Sequence, residues 1–227
     1  MAPSPSGNDA DRFAAERREL VREIEAEVTA TADWTGCARL DRRVIEAIAQ
    51  VPRHEFVPRS ETNISYINNA LPIGHGQTIS QPYIVALMTD LLEIGPDSTV
   101  LEIGTGSGYQ AAVLSRLVGQ LYSIEVVPEL AASAAERLQR LGYANVSVKA
   151  GDGAAGWPEH EPFDSIIVTA CAAGVPSALI EQLAVGGRLV LPVGGSDRSQ
   201  MLTVVTKQAD GSTTDRAVLP VAFVPLV

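Results

Sequence analysis

Cysteine, histidine and basic side chains are all scarce in this chain. Its 227 residues include two cysteines and three histidines, and 17 Lys and Arg stand against 27 Asp and Glu, a formal net charge of −10. Cys37 and Cys171 are isolated, so they are expected to be reduced thiols of a cytoplasmic protein. The scattered histidines predict no metal site. The acidic balance disfavours a general electrostatic grip on nucleic acid, which needs clustered Lys and Arg.

The chain also lacks a long apolar run. No stretch reaches the roughly 20 apolar residues of a membrane helix, so no membrane contact is expected. Residues 1–10 are rich in Pro, Ser and Gly and have no apolar centre, which predicts a disordered tail rather than a signal peptide. A hydrophobic content of 46% is nevertheless enough for a sizeable core.

What the chain does have is a run of glycines after an apolar strand. Thr99–Ile103 is predicted to be a buried strand, and Gly104, Gly106 and Gly108 follow it at the start of a helical pattern. Strand, glycine turn and helix begin a nucleotide-binding α/β unit. Glu102 lies just inside the strand, where a carboxylate would repel a diphosphate but suit a cationic amine and a sulfonium. The pattern therefore favours S-adenosylmethionine over a dinucleotide.

Two further acidic residues follow the next two predicted strands. Glu125 ends the strand 121–125, about 20 residues beyond the first glycine, where a carboxylate can accept both ribose hydroxyls of a nucleotide. Asp152 lies between two glycines after the strand 146–149, where it could accept a hydrogen bond from an adenine amino group. Because each acid comes at the carboxyl end of a strand, we expect both to lie beside the glycine turn.

The order of elements predicts an α/β fold with a doubly wound, mostly parallel seven-stranded sheet. The predicted strands 99–103, 121–125, 146–149, 163–168 and 187–192 alternate with the predicted helices 108–118, 128–141 and 176–184. Two more strands, 200–206 and 218–224, flank Asp210-Gly211, a hairpin signal that predicts an antiparallel last strand.

An N-terminal helical segment with a substrate-side loop is predicted over residues 11–95, and the S-adenosylmethionine-binding domain over 96–227. In the first segment, helices are predicted over 11–28 and 41–51, with a loop over 29–36. Another helix, reaching to about 93, is predicted to begin with Ser80 as its N-cap and Pro82 in its first turn.

Several stretches resemble the protein-L-isoaspartate O-methyltransferase family. The most specific is residues 70–82, ALPIGHGQTISQP, and residues 101–108, 151–153 and 186–194 match as well. The resemblance implies a class I methyltransferase with a Rossmann-like sheet. It implies methyl transfer from S-adenosylmethionine to the free carboxylate of L-isoaspartyl residues in damaged proteins and peptides, which initiates repair through a succinimide. S-adenosylhomocysteine would be the second product, and no metal would take part.

The resemblance also implies a role for each matching residue. Ser80 corresponds to the active-site serine of the family. The residues implied to bind the cofactor are Thr78, Ile79, Ser80, Glu102, Gly104, Gly106, Gly108, Glu125, Val126, Asp152 and Gly153. The residues implied to bind the peptide are Ala70, Leu71, Pro72, Ile79, Ser80, Val175, Pro176, Ala222 and Phe223.

Methyl transfer to a carboxylate requires little chemical assistance from these residues. An isoaspartyl carboxylate is already ionised at neutral pH, since its reference pKa is near ~4, so Ser80 has to orient it and no general base is needed.

Three alternatives remain: a relative that methylates an ordinary Asp in one dedicated peptide, an RNA methyltransferase of the same fold, and a scaffold that only binds the cofactor. The expected partners are isoaspartyl proteins and peptides, without nucleic acid or membrane, and the chain is expected to be a monomer.

Overall fold

The computed structural model describes residues 7–195 and 200–226, and its centre is a seven-stranded sheet. The strands of the chain are β1 Leu71–Gly74, β2 Gln77–Ile79, β3 Thr99–Ile103, β4 Gln120–Glu125, β5 Val146–Ala150, β6 Phe163–Val168, β7 Leu183–Val193, β8 Gln200–Lys207 and β9 Thr213–Val221. The α-helices are α1 Gly7–Ala30, α2 Ala32–Thr35, α3 Arg42–Gln50, α4 Pro82–Leu91, α5 Tyr109–Ser115, α6 Pro128–Arg140 and α7 Ser177–Gln182. Short 3-10 helices cover Arg53–Phe56, Arg59–Ile64, Gly153–Ala155 and Pro158–His160.

The sheet has the strand order β5-β4-β3-β6-β7-β8-β9, and β1 pairs with β2 in a separate hairpin. Strands β3 to β7 pair in parallel, whereas β8 is antiparallel to both of its neighbours. These observations confirm the predicted fold class. The strand order reverses between β3 and β6, and ligands of open α/β sheets bind at the carboxyl ends of the strands around such a switch point.

One hydrophobic core joins the N-terminal helices to the sheet. Leu20, Ile24 and Val28 recur at helical spacing along α1 and are buried, because this face of α1 packs against α3 and α4. Helix α4 is buried along most of its length, since it contacts α1 and α3 on one side and β7 on another. The same core includes Val100 and Leu121 of the sheet. The boundary expected between residues 95 and 96 therefore does not separate two cores.

The N-terminal helices differ from their predicted bounds. Residues 1–6 of the expected tail lie outside the described residues, and residues 7–10 belong to α1. The loop predicted over 29–36 is wrong, because α1 continues to Ala30 and α2 follows at once. The hydroxyl of Thr29, in the last turn of α1, donates to the Glu25 carbonyl at 2.9 Å, and that of Thr31, between the two helices, donates to the Glu27 carbonyl at 2.9 Å, so both polar residues are accommodated at the helix end.

Helix α4 does not begin as predicted. Its N-cap is Gln81, without a side-chain cap, and Pro82 occupies the first turn. Ser80 lies one residue too early to cap this helix. Its carbonyl instead accepts a hydrogen bond from Nη2 of Arg53 at 2.9 Å. The prediction that Ser80 is an N-cap is therefore wrong, and the side chain has no capping role that would account for it.

Candidate active site

The glycine turn after β3 needs glycine for reasons that the structure makes specific. Gly104 has φ +94°, and a Cβ there would lie 2.4 Å from Oγ1 of Thr169. Gly106 has φ +52°, and a Cβ there would lie 3.4 Å from Cδ1 of Ile73 in the β1–β2 hairpin. The turn is thus enclosed by the end of β6 on one side and by the hairpin on the other.

Gly108 has a different function from the other two glycines. It has φ +88° and is the N-cap of α5, and a Cβ there would lie 3.3 Å from side-chain atoms of Leu138 in α6. It therefore allows α5 and α6 to pack closely. It is not among the residues that line the cavities described below, so its predicted contact with the cofactor is not supported by its position.

Glu125 holds the turn from the neighbouring strand. Its Oε2 accepts a hydrogen bond from the Gly106 N–H at 2.7 Å, and its Oε1 accepts one from the Val127 N–H at 3.0 Å. A carboxylate has about four acceptor sites, so two remain for a ligand. The carboxylate is 5% exposed and lines the cavity beside the turn together with Val126.

Glu102 faces away from that cavity. It is 0% exposed, and its Oε2 accepts a hydrogen bond from Oγ of Ser123 at 2.5 Å. The Ser123 hydroxyl is also 2.5 Å from Oγ1 of Thr105, so this chain of hydrogen bonds supports the glycine turn from inside the sheet. Burial raises the pKa of Glu102 to about 8, so the carboxyl is largely protonated at neutral pH. The predicted attraction of Glu102 for a cationic ligand is therefore not supported by its position, because the side chain is buried and does not line the cavity.

Gly153 lies where β5 ends, and Asp152 precedes it. A Cβ at Gly153 would lie 2.1 Å from Cγ2 of Ile103, so glycine lets this loop approach β3 closely, and Gly153 lines the same cavity. Asp152 is exposed, and its Oδ1 accepts a hydrogen bond from the Ala154 N–H at 2.8 Å. It lies beside the cavity rather than among the residues that line it.

Two concave regions meet beside the glycine turn. The first, which we call the glycine cleft, is lined by Gln77, Thr78, Ile103, Gly104, Gly106, Ile124, Glu125, Val126, Gly153, Thr169, Ala170, Val224, Pro225 and Leu226. The second, which we call the long groove, has a volume of about 540 Å³ and is lined by Glu27, Thr31, Asn69, Ala70, Thr78, Ser80, Gln81, Tyr83, Ile84, Thr169, Leu219, Pro220, Val221, Ala222, Phe223 and Val224. A smaller hollow between them is lined by Ile79 and Ser80 together with Gly104 and Gly106.

Thr78 and Thr169 line all three of these regions, so they mark the junction. The Oγ1 of Thr169 donates to the carbonyl of Gly104 at 2.7 Å, and its N–H donates to the carbonyl of Ile103 at 2.9 Å. Sequence reasoning missed Thr169. Its position directly after β6, at the switch point of the sheet, was the available signal.

The last described residues form a wall that the cleft and the groove share. Beyond β9, the carbonyl of Val224 accepts a hydrogen bond from the Cys171 N–H at 2.7 Å, and the Leu226 N–H donates to the Cys171 carbonyl at 2.8 Å. Gln200 fixes the start of this wall, because its Oε1 accepts from the Phe223 N–H at 2.6 Å and its Nε2 donates to the Phe223 carbonyl at 3.0 Å. Ala222 and Phe223 thus line the groove, and their contact with a peptide stays a prediction.

Five predicted peptide-binding residues do not line the long groove, and one of them, Ile79, lines the hollow beside it. Leu71 is buried in the core and pairs with Ile79 across the hairpin, while Pro72 points outward and pairs with Thr78. Val175 and Pro176 precede α7, and neither lines the groove within the described part of the chain. Glu27 and Thr31 of the N-terminal segment line it instead, although no sequence motif marked them.

A sequence model of the protein-L-isoaspartate(D-aspartate) O-methyltransferase family matches residues 33–227. The chain is 57% identical to protein-L-isoaspartate O-methyltransferase 2 of Syntrophobacter fumaroxidans, over 95% of this chain and 87% of that protein. It is 54% identical to protein-L-isoaspartate O-methyltransferase 1 of Cupriavidus necator, over 96% of this chain and 84% of that protein. The chain belongs to the protein-L-isoaspartate(D-aspartate) O-methyltransferase family.

Solved structures agree with this assignment. A protein-L-isoaspartate O-methyltransferase superimposes with a TM-score of 0.81 at 30% identity, and the match covers 92% of this chain and 65% of the solved one. A Plasmodium falciparum structure described as a protein-L-isoaspartate O-methyltransferase with S-adenosyl-L-homocysteine has a TM-score of 0.76 at 24% identity, covers 93% and 98%, and supports the fold. Family membership confirms the expected enzyme class, a protein-L-isoaspartate O-methyltransferase that uses S-adenosylmethionine.

The residues of the glycine cleft fit the cofactor of this family. Gly104 and Gly106 line the cleft with backbone atoms alone, and Glu125 keeps acceptor sites for hydroxyl groups. Within residues 7–195 and 200–226, no three His, Cys, Asp or Glu side chains are grouped so as to hold a metal ion. In the same described ranges, no helix combines the length and the apolar character that crossing a membrane requires.

Proposed function

We propose that this methyltransferase acts at the junction of the two concave regions, with the cofactor in the glycine cleft and an isoaspartyl peptide in the long groove. The observation that carries this proposal is that Thr78 and Thr169 line both regions while Ser80 faces the groove and the hollow between them. Two ligands bound in this way meet beside the Ser80 side chain.

Each part of the cofactor has a matching group in the cleft. Glu125 would accept the ribose hydroxyls, Gly153 and Asp152 would lie near the adenine, and Gly104 and Gly106 would pass beside the amino-acid portion. When bound, S-adenosylmethionine supplies a methyl group on a positively charged sulfur. Gln77 and Thr78 of the hairpin and residues 224–226 line the cleft, and around a bound cofactor they would limit the access of water.

Ser80 would orient the acceptor. Its hydroxyl can donate a hydrogen bond to one carboxylate oxygen, which leaves the other oxygen aligned with the junction. Because the carboxylate of an isoaspartyl residue is ionised at neutral pH, holding it in line is the main contribution that the chain has to make. The methyl ester formed would then cyclise to a succinimide, which hydrolyses in part to normal aspartate.

The decisive experiment compares one peptide that contains L-isoaspartate with its L-aspartyl twin. We expect labelled methyl groups to be incorporated into the isoaspartyl peptide alone. Methylation of the aspartyl twin at a similar rate would instead support the alternative of a relative that modifies an ordinary Asp in a dedicated peptide. Methylation of RNA and of neither peptide would support the third alternative, although the net charge of −10 disfavours it.

The cellular compartment and the oligomeric state of the enzyme remain predictions. The two free cysteines favour a reducing compartment such as the cytoplasm. A monomer is expected, and light scattering at several protein concentrations tests this expectation. Neither feature changes the chemistry proposed for the junction.

A further inference from the structure

Arg53 is a buried cation that has no carboxylate partner among residues 7–195 and 200–226. It opens the 3-10 helix Arg53–Phe56 and is 0% exposed. Its Nε donates to the Ser65 carbonyl at 2.9 Å, and its Nη2 donates to the Ser80 carbonyl at 2.9 Å and to the Asn69 carbonyl at 3.2 Å. Burial lowers its pKa to about 10, so the guanidinium stays charged at neutral pH.

The same guanidinium reaches the cofactor side of the site. Its central carbon lies 4.8 Å from the ring centroid of Tyr109, which is buried at the start of α5 directly after the glycine turn. One planar group thus contacts the loop before β1, the residue that follows β2 and the helix that follows the glycines. The planar fork of arginine is suited to several fixed acceptors at once, which lysine cannot match.

A packing role alone would not favour this residue. Burying an ion that has no counter-ion costs several kcal/mol, which the hydrogen bonds to three backbone carbonyls have to offset. Among the described residues, the groups that raise the pKa of Arg53 are the phenols of Tyr109 and Tyr66, not a carboxylate. Because no carboxylate neutralises it, the charge of Arg53 can act on an anion that binds beside Ser80, whose carbonyl Arg53 contacts.

We propose that Arg53 is a positioning residue, which fixes Ser80 and Asn69 relative to the glycine turn and whose charge favours an ionised acceptor in the long groove. This inference rests on the proposed function. It assigns one effect to the hydrogen-bonding fork of the guanidinium and another to its charge. The fork sets the alignment of Ser80 and acts on kcat. The charge stabilises the bound carboxylate and acts on affinity, because the negative charge of the carboxylate is lost in the transition state.

The charge is tested by binding, without turnover. An isoaspartyl peptide and its twin with a carboxamide in place of the free carboxylate are titrated into the enzyme saturated with S-adenosylhomocysteine. Wild type is expected to bind the carboxylate peptide at least about tenfold more tightly, and Arg53→Met should reduce this ratio to near one. Equal affinities of wild type for the two peptides would overturn the role of the charge, and this outcome does not depend on any variant folding.

The fork is tested by turnover. Arg53→Lys keeps the charge but cannot reach all three carbonyls, so kcat should fall about 10²-fold while the binding ratio of the two peptides is kept. Arg188 supplies the matched control, since it also donates to a backbone carbonyl, that of Leu91, and pairs with Glu93 away from the site. Arg188→Lys and Arg188→Met should change neither kcat nor the ratio.

The outcomes of this test are distinct from those of the proposed function. If wild type does not methylate the isoaspartyl peptide, the proposed function fails first. If wild type methylates it and Arg53→Lys keeps the wild-type kcat, only the role of Arg53 fails. S-adenosylhomocysteine binding by each variant, measured by calorimetry, should stay within a few-fold of wild type, because Arg53 does not line the glycine cleft.

Discussion

The floor of the glycine cleft is formed by short, continuous stretches at the ends of adjacent strands, whereas the long groove is formed by segments far apart in the chain. Gly104, Gly106 and Glu125 follow β3 or end β4, so their places follow from the topology of the sheet. The groove brings Glu27 of α1 together with Ala222 beyond β9, and the hairpin and residues 224–226, which border the cleft, are as distant from each other in the sequence. A short motif can therefore describe the floor of the cleft, but only the complete fold describes its walls and the groove.

The largest effect is expected at the turn of the cleft. Gly106→Ala places a Cβ 3.4 Å from Cδ1 of Ile73 in the hairpin beside the cleft, at a positive φ that alanine adopts with strain, so the turn that lines the cleft has to shift. Affinity for S-adenosylhomocysteine should fall by about 10³-fold in a calorimetric titration. Gly142→Ala is the matched control, because Gly142 also has a positive φ, +84°, with no atom within 4 Å of its Cβ position. Similar losses in both variants would attribute the effect to strain and not to the ligand.

The support beneath the turn should be visible in the dependence of stability on pH. Burial raises the pKa of Glu102 from 4.5 to about 8, so the folded chain binds the proton more tightly than the unfolded chain. The stability due to this proton is complete below pH 4.5 and is lost as the pH rises through about 8. The loss between about pH 5.5 and pH 8 should reach at most about 3 kcal/mol.

Glu102→Gln tests this expectation, because glutamine does not titrate. Its free energy of unfolding in urea should fall less than that of wild type over the same pH interval. Glu159→Gln, at an exposed position, serves as the control and should follow wild type. Parallel curves for wild type and Glu102→Gln would mean that Glu102 is ionised in the folded enzyme.

The tests at Gly106 and Glu102 concern residues whose positions and roles the sequence predicts to different extents. The strand positions along the chain, the fold class and the glycine turn follow from local patterns, and the structure confirms them. The ribose contact of Glu125 stays a prediction. The reason given for Glu102 is not supported by its position, because the sequence does not show that the Ser123 hydroxyl donates to this carboxyl inside the sheet. Thr169 carries no motif of its own. The end of α1 was missed because tertiary packing outweighs local propensity.

A substitution of Ser80 distinguishes the long groove from the glycine cleft most directly. Ser80 faces the groove, and it is not expected to contribute much to cofactor affinity. Ser80→Ala should lower kcat on an isoaspartyl peptide by about 10²-fold, since it removes the donor that aligns the carboxylate. Affinity for S-adenosylhomocysteine should stay near that of wild type. Stability should change by less than about 0.5 kcal/mol, because Ser80 does not cap α4. Ser177→Ala, at an exposed position, is the control, and a full kcat for Ser80→Ala would remove the serine from the mechanism.

The smallest effect is expected at Asp152, on the rim of the cleft. Its exposed carboxylate caps the Ala154 N–H through Oδ1, and its other acceptor sites remain available to an adenine amino group. Exposed hydrogen bonds contribute about 1 kcal/mol or less, and Asp152→Ala should therefore weaken S-adenosylhomocysteine binding only a few-fold. Asp152→Asn distinguishes the two functions, because the amide oxygen can keep the cap while the NH₂ group cannot accept from adenine. If Asp152→Asn binds as tightly as wild type while Asp152→Ala does not, the residue serves the loop alone. Equal losses in both variants would place the adenine amino group beside this carboxylate and extend the glycine cleft to its rim.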